Sequence, residues 1–325
     1  MIKAEKVKIS QLALILLIVI PGGKYLSLPS YMYSISGRDS WLSFLLLFVL
    51  DFVCFLFTLW AINLNRRGLS LNEILTQTLS PVGSKIIFAV FTVFFLLRVT
   101  VLLLGCVDLF SSTFVINTNW LAYIIPIALL VAVSLVQGVR NVARLTEMLF
   151  VFVMLALLSI IFLSLRSADF SNLRPFLDEG FKPVLEGSLD GSFWFADSVF
   201  LLFFLEKVEA PKKKDNVLLC VMLLIGILVT MALVVLYVAL FGNASGINGI
   251  AITKVSQFNI SNNSYGRLDW LSISIWMCSI FIKIIVLSFC AYSAIVWTVG
   301  YKKEKFNWWV FPVYGGAGNR PASFL

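Results

Sequence analysis

The sequence predicts an all-α polytopic membrane protein, built as a five-plus-five inverted repeat with broken helices 1 and 6. Three observations carry that reading. Hydrophobic residues make up 60% of the 325 and charged residues 13%, against about 45–50% and about 25% in soluble domains. Apolar stretches near the roughly 20 residues that a spanning helix needs follow one another with short polar joints. The first and sixth stretches are both interrupted by residues that helices avoid, as repeats with a midplane site require. The symmetry rests on hydropathy, since no internal sequence identity between the halves is visible.

The first span, Ile9–Tyr33, reads ISQLALILLIVI-PGG-KYLSLPSYMY. Pro21 removes an amide donor and clashes with the preceding turn, while Gly22 and Gly23 raise the entropic cost of helix. Irregular backbone at membrane depth survives only inside protein or along a cavity. No small-residue cleavage site follows, so the segment reads as a retained span. The second span is Trp41–Leu64, and SLNEILTQTLSP then reads as a short amphipathic cytoplasmic helix ending at Pro81. Spans three to five are Ile86–Val115, Trp120–Val136 and Met148–Leu165. The next joint, LRSADFSNLRPFLDEGFKP, is mixed in charge and is expected to fold on the surface.

The sixth span, Val184–Leu205, carries Gly187, Gly191 and the triplet Ala196-Asp197-Ser198 near its middle. Spans seven and eight are Val217–Phe241 and Leu268–Val299. A ninth begins near Phe306 and loses its apolar character after Tyr314, with Trp308 and Trp309 suited to the headgroup region. The reading is therefore one transmembrane domain over 1–314 and a short tail over 315–325, with the fold truncated after helix 8 or 9.

Lysine and arginine set the orientation. Lys3, Lys6, Lys8, Arg66, Arg67, Arg140, Arg144 and the run Lys212-Lys213-Lys214 fall in joints on one side. The opposite joints hold Arg38, Arg166, Arg174, Lys182, Lys254 and Arg267. Positive charge is retained inside, which predicts a cytoplasmic N-terminus, with Lys213 inside and Ser245 outside. The same asymmetry accounts for the net charge of +8 without a nucleic-acid partner. Histidine is absent, and the five cysteines lie in apolar runs without metal-like spacing. With no nucleophile elbow and no metal cluster, the chain is not read as an enzyme and calls for no cofactor. Sequons at Asn243, Asn259 and Asn262 fall in an external loop but match a common pattern.

Intramembrane charges cost about 2.5–3.5 kcal/mol each on insertion scales and so need partners or a function. Lys24, Arg98 and Lys283 stand against Asp51, Asp108 and Asp197, which permits full pairing. Structural pairing with snorkelling is one account. The other uses position: in a five-plus-five fold, spans one, three, six and eight surround a central cavity. Lys24, Arg98, Asp197 and Lys283 fall on those four spans. Amides at Gly22 and Gly23 would cradle the carboxylate of a small zwitterion, and Asp197 would accept from its ammonium or pair with Lys24. Trp194, Phe195 and Trp276 either line that cavity or pack.

These residues resemble a family, the B subunits of bacterial spore germinant receptors (the GerAB family, in the amino acid–polyamine–organocation transporter superfamily). The resemblance runs from about Ile9 to about Tyr301. It rests on Ser10-Gln11, Gly22-x-x-x-Leu26-x-Leu28-Pro29, Asp39-x-Trp41, Leu71-x-Glu73, Gly138 with Val142-x-Arg144-Leu145, and Arg267-x-Asp269 ahead of Trp276. Its most specific element is Asn172-Leu173-Arg174-Pro175-x-Leu177-x-Glu179-Gly180. The resemblance implies a LeuT-like ten-span fold, recognition of an amino-acid-like germinant, and residence in the spore inner membrane. It also implies assembly with an A-type membrane subunit and a C-type lipoprotein subunit. Two departures stand out: Lys24 occupies a position where the family often has a second glycine, and the chain ends in GGAGNRPASFL. An amino acid or amine permease, and an interaction subunit without ligand binding, are the competing functions.

Overall fold

The computed structural model describes residues 7–65, 69–113, 119–207, 213–246, 251, 255 and 268–300. Among them every regular element is helical. Six helices are long and apolar enough to cross a membrane, so the chain is an all-α polytopic membrane protein. The predicted ninth span, the interfacial Trp308 and Trp309 and the 315–325 tail lie outside the described residues.

The first predicted span is two helices, α1 (Ile9–Val19) and α2 (Leu28–Ser36), neither long enough to cross alone. A short turn, Gly37–Asp39, opened by Gly37 at φ +55°, leads directly into α3 (Ser40–Leu64), and the chain folds back there: the Ser36 and Ser43 hydroxyls, seven residues apart, meet at 2.9 Å. The amphipathic α4 (Leu71–Leu79) forms as expected and begins with a reciprocal cap. Ser70 accepts from the Glu73 amide at 3.2 Å, and the Glu73 carboxylate accepts from the Ser70 amide at 2.7 Å. Ser80, at φ +106°, ends it, and Pro81 opens α5 (Pro81–Thr113). Proline suits a first helical position because that amide would be unpaired anyway.

α6 (Leu121–Gln137) has 17 residues with Pro126 inside, short for a span. α7 (Val139–Leu165) follows immediately across Gly138. The sixth span is α8 (Lys182–Gly191), a turn at Ser192–Trp194, and a 3-10 helix over Asp197–Lys207. α9 (Lys213–Phe241) and α10 (Leu268–Val299) complete the described helices.

Burial sorts these helices into an inner and an outer set. α1 is buried almost all round, through Leu12, Ala13, Ile15, Leu16, Ile18 and Val19. It packs on α7, α9 and α10. α10 packs along α5 and α7 and buries Trp276, Ile280, Ile284, Leu287 and Cys290. α3 and α5 turn Val49, Leu50, Phe57, Trp60, Leu97 and Leu104 outward, the pattern for helices whose outer face meets lipid. α2, α3 and α8 approach closely on small residues: a Cβ on Gly187 would fall 2.0 Å from the Ser36 hydroxyl. Ser36 and Ser43 donate to the carbonyls of Pro183 and Val184, each at 2.9 Å.

The joint before α8 is tied down as a strap. Asn172 donates to the Ala239 carbonyl at the end of α9, Arg38 donates to the Arg174 carbonyl, and the Leu177 amide donates to Asp39. The most family-specific run and the Asp39-x-Trp41 element are thus two sides of one contact.

Candidate functional site

The site is built where the two broken helices meet. Pro21 has no amide to continue α1, and Gly23 takes φ +84°, a left-handed conformation that side chains other than glycine rarely adopt. Helix resumes at Leu28, which leaves Ile20 with a carbonyl outside the helical ladder. The Lys24 ammonium donates to it at 3.0 Å. In the sixth span, Ala196 takes φ +61°, an uncommon and strained conformation for a side chain with Cβ. That turn frees the Trp194 and Phe195 carbonyls, and the Arg98 guanidinium of α5 donates to them at 3.0 and 2.7 Å.

Asp197, the first residue after this turn, lies at the centre. One carboxylate oxygen accepts from Lys24 and, at 2.9 Å, from Lys283 of α10; the other accepts from Arg98 at 2.8 Å. All four side chains are buried: Lys24 is 0% exposed, Asp197 and Lys283 1%, Arg98 4%. Aromatic faces close the cluster. Lys24 Nζ lies 4.8 Å from the Phe195 ring and 5.7 Å from the Phe48 ring, and Arg98 lies 5.4 Å from the Phe94 ring. Such cation–ring contacts partly replace lost water.

Structure and sequence expectation differ in how charges pair. The six charges do not form three pairs, because counting charges ignores which helix face each occupies. Three cations share Asp197, while Asp108 sits on an exposed face of α5. Asp51 of α3 is 1% exposed, and neither of its carboxylate oxygens has a hydrogen-bond partner. It lies among the fields of Lys24, Asp197, Arg98 and Lys283. Its place was readable in the sequence, three residues after Phe48 and four before Phe55, both buried.

The remaining expected site residues divide. Phe195 contributes its ring and its carbonyl; Trp194 contributes its carbonyl to Arg98. Trp276 is buried with its ring 6.3 Å from Tyr25 and its indole N–H without a partner. The Gly22 amide is engaged, donating to the Ile18 carbonyl at 3.2 Å. A Cβ on Gly22 would lie 3.1 Å from the Ser279 carbonyl and 3.5 Å from Lys283 Cβ, so glycine lets α10 bring Lys283 against the break. Asp197 already takes three donors, all from the protein's own cations. Among the described residues no group of His, Cys, Asp and Glu is arranged to hold a metal.

Chemically, three cations and two carboxylates leave one net positive charge if both acids are ionised (3 − 2). A buried surplus of that sign is best neutralised by an anionic group brought from outside. A small pocket borders the first break, lined by Tyr25, Pro29, Leu233, Tyr237, Ala251 and Val255.

Broken helices meeting at a buried ionic cluster define a polytopic membrane protein with a charged site in its interior. The chain belongs to the spore germination protein (spore permease) family, whose model matches residues 6–315. It is similar to spore germination protein XB of Bacillus anthracis, 22% identical over 255 residues, covering 78% of this chain and 71% of that protein. It is also similar to spore germination protein YndE of Bacillus subtilis strain 168, 26% identical over 166 residues, covering 49% of this chain and 44% of that protein.

Proposed function

We propose that this chain is a germinant-sensing subunit that binds the carboxylate of a small, amino-acid-like germinant at Lys24, Arg98 and Lys283. The observation that carries this reading is the convergence of three buried cations, from three spans, on one carboxylate between two helix breaks. Asp197 holds the cations together in the closed state. A ligand carboxylate competes with it for Lys24 and Lys283. Kinship to proteins named for spore germination supplies the biological setting.

In this reading the N-terminus is cytoplasmic and the membrane is the spore inner membrane. The partners are an A-type membrane subunit and a C-type lipoprotein subunit. The same architecture serves permeases, so sensing and transport differ in what opening the site does.

Spores lacking this chain test the reading. They are expected to lose the response to at least one of the twenty standard amino acids. Complementation with Lys283→Met is expected to shift that dose response by about tenfold or more, the scale of a lost charged hydrogen bond. Membrane abundance should be unchanged. If deletion leaves every amino-acid response intact, the reading fails.

A further inference from the structure

The site has a second anionic pole that the cluster leaves unused. Asp51 is buried on α3, its two carboxylate oxygens are unpartnered, and α3 packs against the 3-10 helix that begins with Asp197. A buried polar group without a partner demands an explanation, because leaving it unpaired costs free energy. Among the described residues no cation bonds to it: Lys24, Arg98 and Lys283 reach it only through their fields and bond to Asp197. We propose that Asp51 receives the cationic amine of the ligand, while the ligand's carboxylate takes Lys24 and Lys283. This inference rests on the function proposed above and adds the ligand's second charge.

Charge bookkeeping favours a zwitterion over a free cation. With both acids ionised the site carries one surplus positive charge, so a metal cation on Asp51 would raise it to two. A zwitterion leaves the total unchanged and gives each ligand charge a partner of opposite sign. Asp197, already taking three donors, is a poor acceptor for another. Phe48, one turn from Asp51 on α3, has its ring 5.7 Å from Lys24 Nζ, so this stretch of α3 faces the cations. An α-amino acid holds its two charges one carbon apart. An ω-amino acid spans a greater separation. Either ligand requires the amine.

The test uses the purified full chain in detergent, with thermal shift and equilibrium binding read for the twenty standard L-amino acids, 4-aminobutyrate and 6-aminohexanoate. Each ligand that binds is compared with the carboxylate lacking its amine. Asp51→Asn is isosteric and removes a buried unpaired charge, so its melting temperature should equal or exceed that of the parent. Asp51→Ser is the second variant should Asn disturb folding. The expected result is an affinity loss of about tenfold or more for the amino acid, with the amine-free carboxylate bound equally by parent and variants. Equal amino-acid affinity in parent and variants overturns the role of Asp51 and leaves the proposed function standing. Stabilisation of the parent by NaCl or KCl alone, abolished by Asp51→Asn, assigns the residue to a metal cation and also overturns it. If the parent binds none of the amino acids or carboxylates, the proposed function itself fails.

Discussion

Replacing Asp197 by Asn probes the cluster most directly, because the structure makes its effect unlike that of removing any cation. The carboxylate is 1% exposed and takes Arg98 at 2.8 Å, Lys283 at 2.9 Å, and Lys24. At an effective dielectric of about 20, attraction across about 3 Å is worth about 5–6 kcal/mol, and repulsion across about 5 Å about 3 kcal/mol. Donors sharing one acceptor stand roughly 5 Å apart. Removing Asp197 deletes three attractions and leaves three repulsions. Removing Lys24 deletes one attraction and two repulsions, which nearly cancel. Asp197→Asn is therefore expected to cost at least the about 3–5 kcal/mol typical of stranding a buried charge. Lys24→Met should cost about 1–3 kcal/mol, the penalty for the Ile20 carbonyl it leaves unpaired. The double variant should recover part of the loss, since two of the three repulsions vanish with Lys24. Thermal unfolding of the purified chain, read by tryptophan fluorescence, measures all four species of the cycle, with membrane abundance as a second readout. A Lys24→Met variant as damaged as Asp197→Asn, or strictly additive effects, would refute the shared-carboxylate account.

Three further predictions follow from single positions. Ala196→Gly should raise the melting temperature, relieving about 1 kcal/mol of left-handed strain at φ +61°; a lower melting temperature would show that the alanine methyl matters more than the backbone. Gly23→Ala should destabilise by about 1–3 kcal/mol, because the φ of +84° is unfavourable and its Cβ would lie 2.4 Å from the Leu102 side chain. Adding Leu102→Ala should restore only the steric part, and full rescue would remove the backbone argument. For topology, single cysteines in a background without the five native ones should react with an impermeant maleimide at Ala244 and not at Lys214 in intact cells. Both positions are exposed, whereas Ser245 is buried and would be silent in either orientation; the reverse labelling pattern would invert the assigned orientation.

The sequence made the membrane class and the two helix breaks legible through hydropathy and through Pro21, Gly22 and Gly23. It also picked out Lys24, Arg98, Asp197 and Lys283, because an ionisable group at depth is expensive enough to be conspicuous. What it withheld was pairing. Charge counts suggested one acid per base, whereas helix rotation decides partners, and rotation depends on packing such as that of α10 against Gly22. The strained Ala196 was hidden for a related reason. Alanine is a good helix former, and nothing local announces that the chain turns left-handed there. The division of α2 from α3 was legible, since a polar joint parts the first predicted span, ending at Tyr33, from the second, beginning at Trp41.

The cations serve the breaks as well as the carboxylate, and this bears on how a bound ligand would be felt. Lys24 satisfies the Ile20 carbonyl freed by the first break, and Arg98 satisfies the Trp194 and Phe195 carbonyls freed by the second. Each unsatisfied buried carbonyl costs about 1–3 kcal/mol, so a break is loosened when its cation leaves. In the proposed reading, a carboxylate that draws Lys24 from Asp197 also loosens Lys24 from Ile20, and α1 must adjust. Asp197 would remain with Arg98, which also holds the Trp194 and Phe195 carbonyls, so the second break holds while the first moves. Binding energy is thereby directed into relative motion of the first span against the sixth, with the α5–α10 pair as the fixed frame. A receptor that reports occupancy to its neighbours needs such a differential movement.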